Sequence, residues 1–216
     1  MASILEADSI RLSFGNRVVL SDIYIKCETG KITGLLGRNG QGKTCLLNVI
    51  AGTLNAAEKS IRYNRNSQAQ PLSNEELLKC LPQYNFVPTF LTMQKVFKDF
   101  ALDFAQFEKI FPEFSGKHNF KFRQLSGGQR RVAETYLVIK SKTKFSLLDE
   151  PFTHLMPLQI EKVTELIKEE KLTKGFLITD HLYREVTGIA DDLYVLAGGQ
   201  TRPVTKQYTL QDAGYL

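Results

Sequence analysis

One run of residues in this chain has the types and spacing to hold a phosphate. Gly37-Arg38-Asn39-Gly40-Gln41-Gly42-Lys43-Thr44 satisfies the pattern G-x-x-x-x-G-K-[ST]. Glycines at those positions let successive backbone N–H groups turn inward and wrap an anion. A helix that starts where the run ends adds partial positive charge. The Lys43 ammonium can reach the β- and γ-phosphates of a nucleotide, and the Thr44 hydroxyl can join a Mg²⁺ shell. A second run, Leu125-Ser126-Gly127-Gly128-Gln129, precedes a helical pattern. Ser126 can cap that helix, and the two glycines leave its first amides open. That is either a second phosphate-binding helix start or an ordinary capped helix; local chemistry supports both equally.

Phe145-Ser146-Leu147-Leu148-Asp149-Glu150 is a short apolar run ending in two carboxylates. Adjacent residues at a strand end point to opposite faces, so the two can do different jobs. The phosphate run, the Leu-Ser-Gly-Gly-Gln pentapeptide and this acidic pair, in this order, strongly resemble the ATP-binding cassette (ABC) ATPases. The resemblance covers essentially the whole chain. It implies that residues 125–129 bind the γ-phosphate of an ATP held by the P-loop of a second cassette. The active unit would then be a head-to-tail dimer, of two like chains or two different ones, with two ATP molecules in the interface. Asp149 would hold Mg²⁺, and Glu150 would orient and polarise the attacking water.

The same resemblance assigns further positions. Gln83, in Leu81-Pro82-Gln83-Tyr84, matches the Q-loop glutamine, which senses Mg²⁺ and the γ-phosphate beside the docking site for transmembrane subunits. His181, in Ile178-Thr179-Asp180-His181, matches the switch histidine, whose imidazole would bond the γ-phosphate and position water or Glu150. Phe14 falls where the family stacks an aromatic ring on adenine; packing in the core is the alternative. There is one departure. After Glu150-Pro151 the family has Ser-Ala/Gly-Leu-Asp, whereas this chain has Thr153-His154-Leu155-Met156. Met156 replaces the acidic residue of the D-loop, which communicates between the two sites, so coupling and turnover rate are in question.

These groups need strands and helices to carry them. Residues 4–14, 18–25 and 32–36 read as strands, and 44–51 as a helix with Leu46, Leu47 and Ile50 at helical spacing. Residues 53–78 are polar and weak in signal. Residues 92–140 read mostly as helix. A strand ends at Leu147-Leu148, a helix follows over 159–170, and another strand over 176–179. The expectation is an α/β fold: a P-loop NTPase core with a mostly parallel sheet, an N-terminal antiparallel β layer and a small helical subdomain. Residues 1–216 would be a single ABC ATPase domain, with the helical subdomain at about 84–138 inserted in the α/β core. Phe97, Phe100, Phe104, Phe107, Phe111 and Phe114 recur at spacings of 3, 4, 3, 4 and 3, one face of a helix that Pro112 ends or kinks. That stripe is the core of the helical subdomain, or in part a docking groove for a membrane subunit.

Composition bounds the class. At 43% hydrophobic and 24% charged residues, the chain has enough apolar material for a sizeable core, so long disorder is excluded. No run approaches 18 apolar residues, and no signal peptide is read at the start. Cys27, Cys45 and Cys80 are odd in number and patternless, which fits a reduced compartment and no zinc site. The net charge of +5 without a run of five basic residues permits nucleic acid but does not indicate it. The expected function is the ATP-binding and hydrolysing subunit of an ABC transporter, with ATP and Mg²⁺ as cofactors. It would drive transmembrane subunits on separate chains from the cytoplasmic, inner face of the cell membrane. The alternatives are a soluble ABC ATPase of a ribosome- or nucleic-acid-linked machine and a weakly hydrolysing ATP-dependent clamp.

Overall fold

In the computed structural model, which describes residues 2–214, the apolar runs become the parallel strands of one central sheet. These are β4 (Ile32–Leu36), β7 (Leu78–Leu81), β8 (Phe145–Asp149), β9 (Gly175–Thr179) and β10 (Asp192–Ala197), with β11 (Gln200–Pro203) antiparallel at the edge. Their order is β11-β10-β4-β9-β8-β7. A strand covered on both faces can be apolar throughout, and β4, β8 and β9 are buried at every residue. Successive side chains alternate between two cores. Leu35, Leu147, Leu177 and Leu196 face one; Leu36, Leu148, Ile178 and Val195 face the other.

The first core is closed by helix α1 (Lys43–Ala51) and by an antiparallel layer. That layer is β1 (Ile4–Phe14), β2 (Arg17–Leu20), β3 (Tyr24–Glu28), β5 (Glu58–Tyr63) and β6 (Asn66–Ser67). The expected strand over 18–25 is two strands, because a break at 21–23 lets β2 and β3 pair with different parts of β1. The weak-signal stretch 53–78 holds β5 and β6 and leads into β7. β5 is mostly half-buried, which blurs its pattern, and β6 is only two exposed residues.

The second core carries α2 (Met93–Asp99), α3 (Phe104–Ile110), α4 (Gly127–Lys140), α5 (Pro157–Glu170) and α6 (Tyr183–Ile189). The phenylalanine stripe is not one helix. Thr92 caps α2 and Asp103 caps α3, and Ala101 between them takes a left-handed φ of 54°. Phe111 and Phe114 fall beyond α3, around a one-turn 3₁₀ helix started by Pro112. The rings still converge. Phe107 lies 4.9 Å from Phe97, 5.2 Å from Phe111, 4.6 Å from Phe114 and 4.8 Å from Tyr136 of α4, centroid to centroid. Phe97, Phe107, Phe111 and Phe114 are buried, so their part of the stripe is core and lines no groove. Phe107→Ala removes the central ring and costs about 3–5 kcal/mol.

Candidate nucleotide site

The P-loop links β4 to α1. Gly42 has φ 100° and sits where a Cβ would come within 2.7 Å of Val19 Cγ1, so only glycine fits. It precedes α1 without a capping side chain, leaving the first amides of the helix open. Lys43 is 7% exposed; its Nζ donates to the carbonyls of Gly37 at 2.6 Å and Arg38 at 3.4 Å. Burial pushes its ammonium pKa down, while Glu150, Asp149 and Asp180 pull it up. A buried ammonium leashed to its own loop is the cation an incoming polyphosphate would recruit.

Beside the loop lies a cleft of about 650 Å³. Asn39, Gly40, Gly42, Lys43 and Thr44 line it, together with Phe14, Gln83, Glu150 and His181. Residues far apart in sequence therefore meet at one surface. Phe14, at the end of β1, is exposed on the cleft and does not pack in the core. Gly37, Arg38 and Gln41 stand behind the loop, around a smaller cavity with Gly198 and Ala213. The Gly198 amide donates to Gln41 Oε1 at 3.0 Å, which ties the loop to the β10–β11 turn.

Asp149 ends β8 beneath the cleft and is 2% exposed. Burial raises its carboxyl pKa to about 6, and a hydrogen bond with the Thr44 side chain works against that rise. Among the described residues, its Oδ1 has no hydrogen-bond partner. A buried carboxylate oxygen without a donor, beside a hydroxyl, suits a hard cation that takes its other ligands from phosphate and water. Glu150 follows with a left-handed φ of 52°, which turns its side chain out of the strand and into the cleft. Its Oε2 accepts from the Thr153 hydroxyl at 3.3 Å and lies 3.8 Å from His181 Nδ1. His181 Nδ1 is also 3.3 Å from Asp180 Oδ1. Asp180 is itself pinned by the amides of Phe152, at 3.0 Å, and Leu182, at 2.9 Å. Burial pushes its carboxyl pKa up.

Leu125, Ser126, Gly127, Gly128 and Gln129 do not reach this cleft. Ser126 caps α4: the Gln129 amide donates to its Oγ at 3.2 Å, and its own amide donates to Gln129 Oε1 at 3.1 Å. Ser126, Gly128 and Gln129 line a separate cleft of about 720 Å³ with His154, Met156 and Leu158. A Cβ on Gly128 would stand 2.7 Å from the His154 carbonyl oxygen, so that glycine lets the D-loop approach. Leu125 is buried below.

The sequence reading missed Arg131. Its side chain is buried on α4, and burial lowers its pKa against the pull of Glu134 and Asp149. Its Nη1 donates to the Pro82 carbonyl at 2.7 Å, and its Nη2 to the carbonyls of Asp149 and, at 2.9 Å, Glu150. An arginine three positions past Gly128 resembles any helix-surface cation, so nothing in the sequence marks it out.

Such a sheet, with a P-loop at the end of β4 and a paired carboxylate at the end of β8, defines a P-loop ATPase. Residues 20–153 match the sequence profile of the family described as ABC transporter, and the chain belongs to that family. It is an ATP-binding ATPase subunit of the kind that family contains. It is 30% identical, over 93% of its own length and 89% of the other, to the lipopolysaccharide export system ATP-binding protein LptB of Acidithiobacillus ferridurans. It is 27% identical, over 91% of its length and 90% of the other, to the high-affinity branched-chain amino acid transport ATP-binding protein BraG of Pseudomonas aeruginosa. A solved ATP-binding subunit of an ABC transporter superposes with a TM-score of 0.83 at 21% identity, over 98% of this chain and 94% of that one. A nucleotide-free ATP-binding cassette superposes with a TM-score of 0.75 at 23% identity, over 92% and 89%. Among the described residues no helix is long and apolar enough to cross a membrane.

Proposed function

We propose that two cassettes close head-to-tail around two ATP molecules and thereby drive transmembrane subunits on separate chains. Each cassette is a single domain whose helices between β7 and β8 form a docking subdomain. The observation that carries this reading is the separation of two clefts. The P-loop, Gln83, Glu150, His181 and Phe14 share one; Ser126, Gly128 and Gln129 line another that the same chain's P-loop does not reach. A nucleotide contacted by both sets needs a second copy, or a related cassette.

Phe14 offers its ring to adenine, and the loop amides with Lys43 hold the phosphates. Thr44, Asp149 and Gln83 would hold Mg²⁺, directly or through water, and the ion would neutralise charge on the β- and γ-phosphates. Glu150 orients the attacking water and accepts its proton. His181, braced by Asp180, bonds the γ-phosphate. The cassette works at the cytoplasmic face of a membrane, and no nucleic acid takes part. The relatives' cargoes, lipopolysaccharide and branched-chain amino acids, differ from each other, so neither is assigned here. Met156, 68% exposed where the family has an acidic D-loop residue, favours a second reading: a slow, clamp-like ATPase.

The test is affinity capture with tagged Glu150→Gln from solubilised membranes in Mg·ATP. Co-purification of a polytopic membrane protein, lost on adding Lys43→Ala, is the expected result. Capture of ribosomal or DNA-bound proteins in its place would replace the transporter reading with a soluble machine.

A further inference from the structure

The segment bearing Gln83 is held from one side by the helix that the signature pentapeptide begins. Glu134 of α4 is fully buried, and its Oε1 accepts the Val87 amide at 3.1 Å. One turn earlier, Arg130 Nη2 donates to the Val87 carbonyl at 3.2 Å and lies 3.8 Å from Glu134 Oε1. The Val87 residue is therefore gripped at both its N–H and its C=O by side chains four positions apart on one helix. At the other end, Arg131 takes the Pro82 carbonyl and, with the same guanidinium, the carbonyls of Asp149 and Glu150. Between the two grips, among the described residues, the amides of Gln83, Tyr84 and Asn85 make no backbone–backbone hydrogen bond.

Stability alone does not account for this arrangement. Among the described residues Arg130 Nε, Arg131 Nε and Glu134 Oε2 are buried with no partner. Two buried charges, Arg131 and Glu134, and a half-buried Arg130, each with a buried atom left unmatched, cost more than apolar side chains of the same volume. Val132, Ala133 and Leu137 on the same helix pack apolar core, so apolar residues fit α4 well.

We propose that Arg130, Arg131 and Glu134 are positioning residues that lock residues 82–87 to the signature helix, so that the Gln83 segment and residues 125–129 move as one body. Resting on the ATP-site reading above, the lock would transmit a push on the Q-loop to the partner-facing pentapeptide. Through Arg131, the backbone that aims Glu150 belongs to the same body.

The experiment uses the full chain, measuring amide exchange of Val87 and its neighbours, ATP affinity and turnover. In Glu134→Ala, and in the volume-matched Glu134→Met should alanine unfold it, Val87 exchange rises about tenfold or more while β8 exchange is unchanged. ATP affinity stays within about twofold and kcat falls about tenfold. Glu134→Gln, which keeps the acceptor, recovers Val87 protection and most of the rate. Unchanged Val87 exchange in Glu134→Met overturns the lock, and so does a kcat loss that Glu134→Gln does not reverse. Lys43→Ala, run alongside, must lose ATP; if it does not, the ATP-site reading is what has failed.

Discussion

The two clefts differ in chemistry as well as in place. The cleft beside the P-loop has cations in or at its wall, Lys43 and Arg17, with the Asp149 carboxylate buried beneath. The cleft at the signature pentapeptide has no Lys or Arg among its described lining residues and is more apolar: it includes exposed Met156 and Leu158, with the Glu113 side chain at its wall. The first can grip a polyanion by charge. In the proposed dimer, the second offers its helix-start amides to a phosphate that another cassette's P-loop delivers. The division explains why one half can be read as a binding site and the other only as half of one.

The largest expected effect follows directly. Lys43→Ala should weaken ATP binding about a hundredfold or more in calorimetric titration, since it removes a desolvated cation from the phosphates. Next comes Glu150→Gln, which should keep ATP affinity and lower turnover by about 10²–10³-fold. Light scattering should show it accumulating as a dimer in Mg·ATP; a monomer at saturating ATP would break the two-cleft reading for a like pair. Gly128→Ala then tests the second cleft alone. Its Cβ collides with the His154 carbonyl, so turnover should fall about tenfold, with ATP affinity of the isolated chain unchanged. A matching loss of affinity would mean that the clefts are not separable.

The smallest effect on nucleotide is expected where neither cleft reaches. Lys174 is buried, and its Nζ donates to the Ile139 carbonyl at 2.7 Å and to the Ser141 carbonyl at 2.5 Å. Burial lowers its ammonium pKa from 10.5 to about 8. Between those values the unfolded chain holds a proton that the native chain lacks, so this residue's contribution to stability rises with pH there and is flat below about 8. Urea melts of wild type against Lys174→Met should show the gap moving in favour of wild type by roughly 3 kcal/mol across that window. ATP affinity should stay within about twofold.

The parts legible in the sequence are those whose chemistry is local. The P-loop and the Ser126 cap each act through residues adjacent in the chain, so spacing exposes them; the acidic pair stands out only through the resemblance that the three runs carry together. The buried strands β4, β8 and β9 are continuous apolar runs and were equally clear. β5 and β6 are not, because β5 is half-buried without clean alternation and β6 is two exposed residues. The phenylalanine stripe had the right period and the wrong element: its spacing survives across two capped helices, and the break is set by Asp103 and by the φ of Ala101. Arg131 and Glu134 escaped notice because their partners are backbone groups of distant segments, which no pattern of residue types records.

The position of β4 has a consequence for the protein's synthesis. The P-loop strand is made before its two sheet neighbours, β9 and β10, which follow only after α1 to α5 have been synthesised. On the ribosome, β1, β2, β3 and β5 can pair soon after they emerge, while the nascent P-loop waits without its flanking strands. The sheet around the P-loop strand is therefore incomplete until β9 and β10 have emerged, and an apolar edge stays open to chaperones throughout that interval.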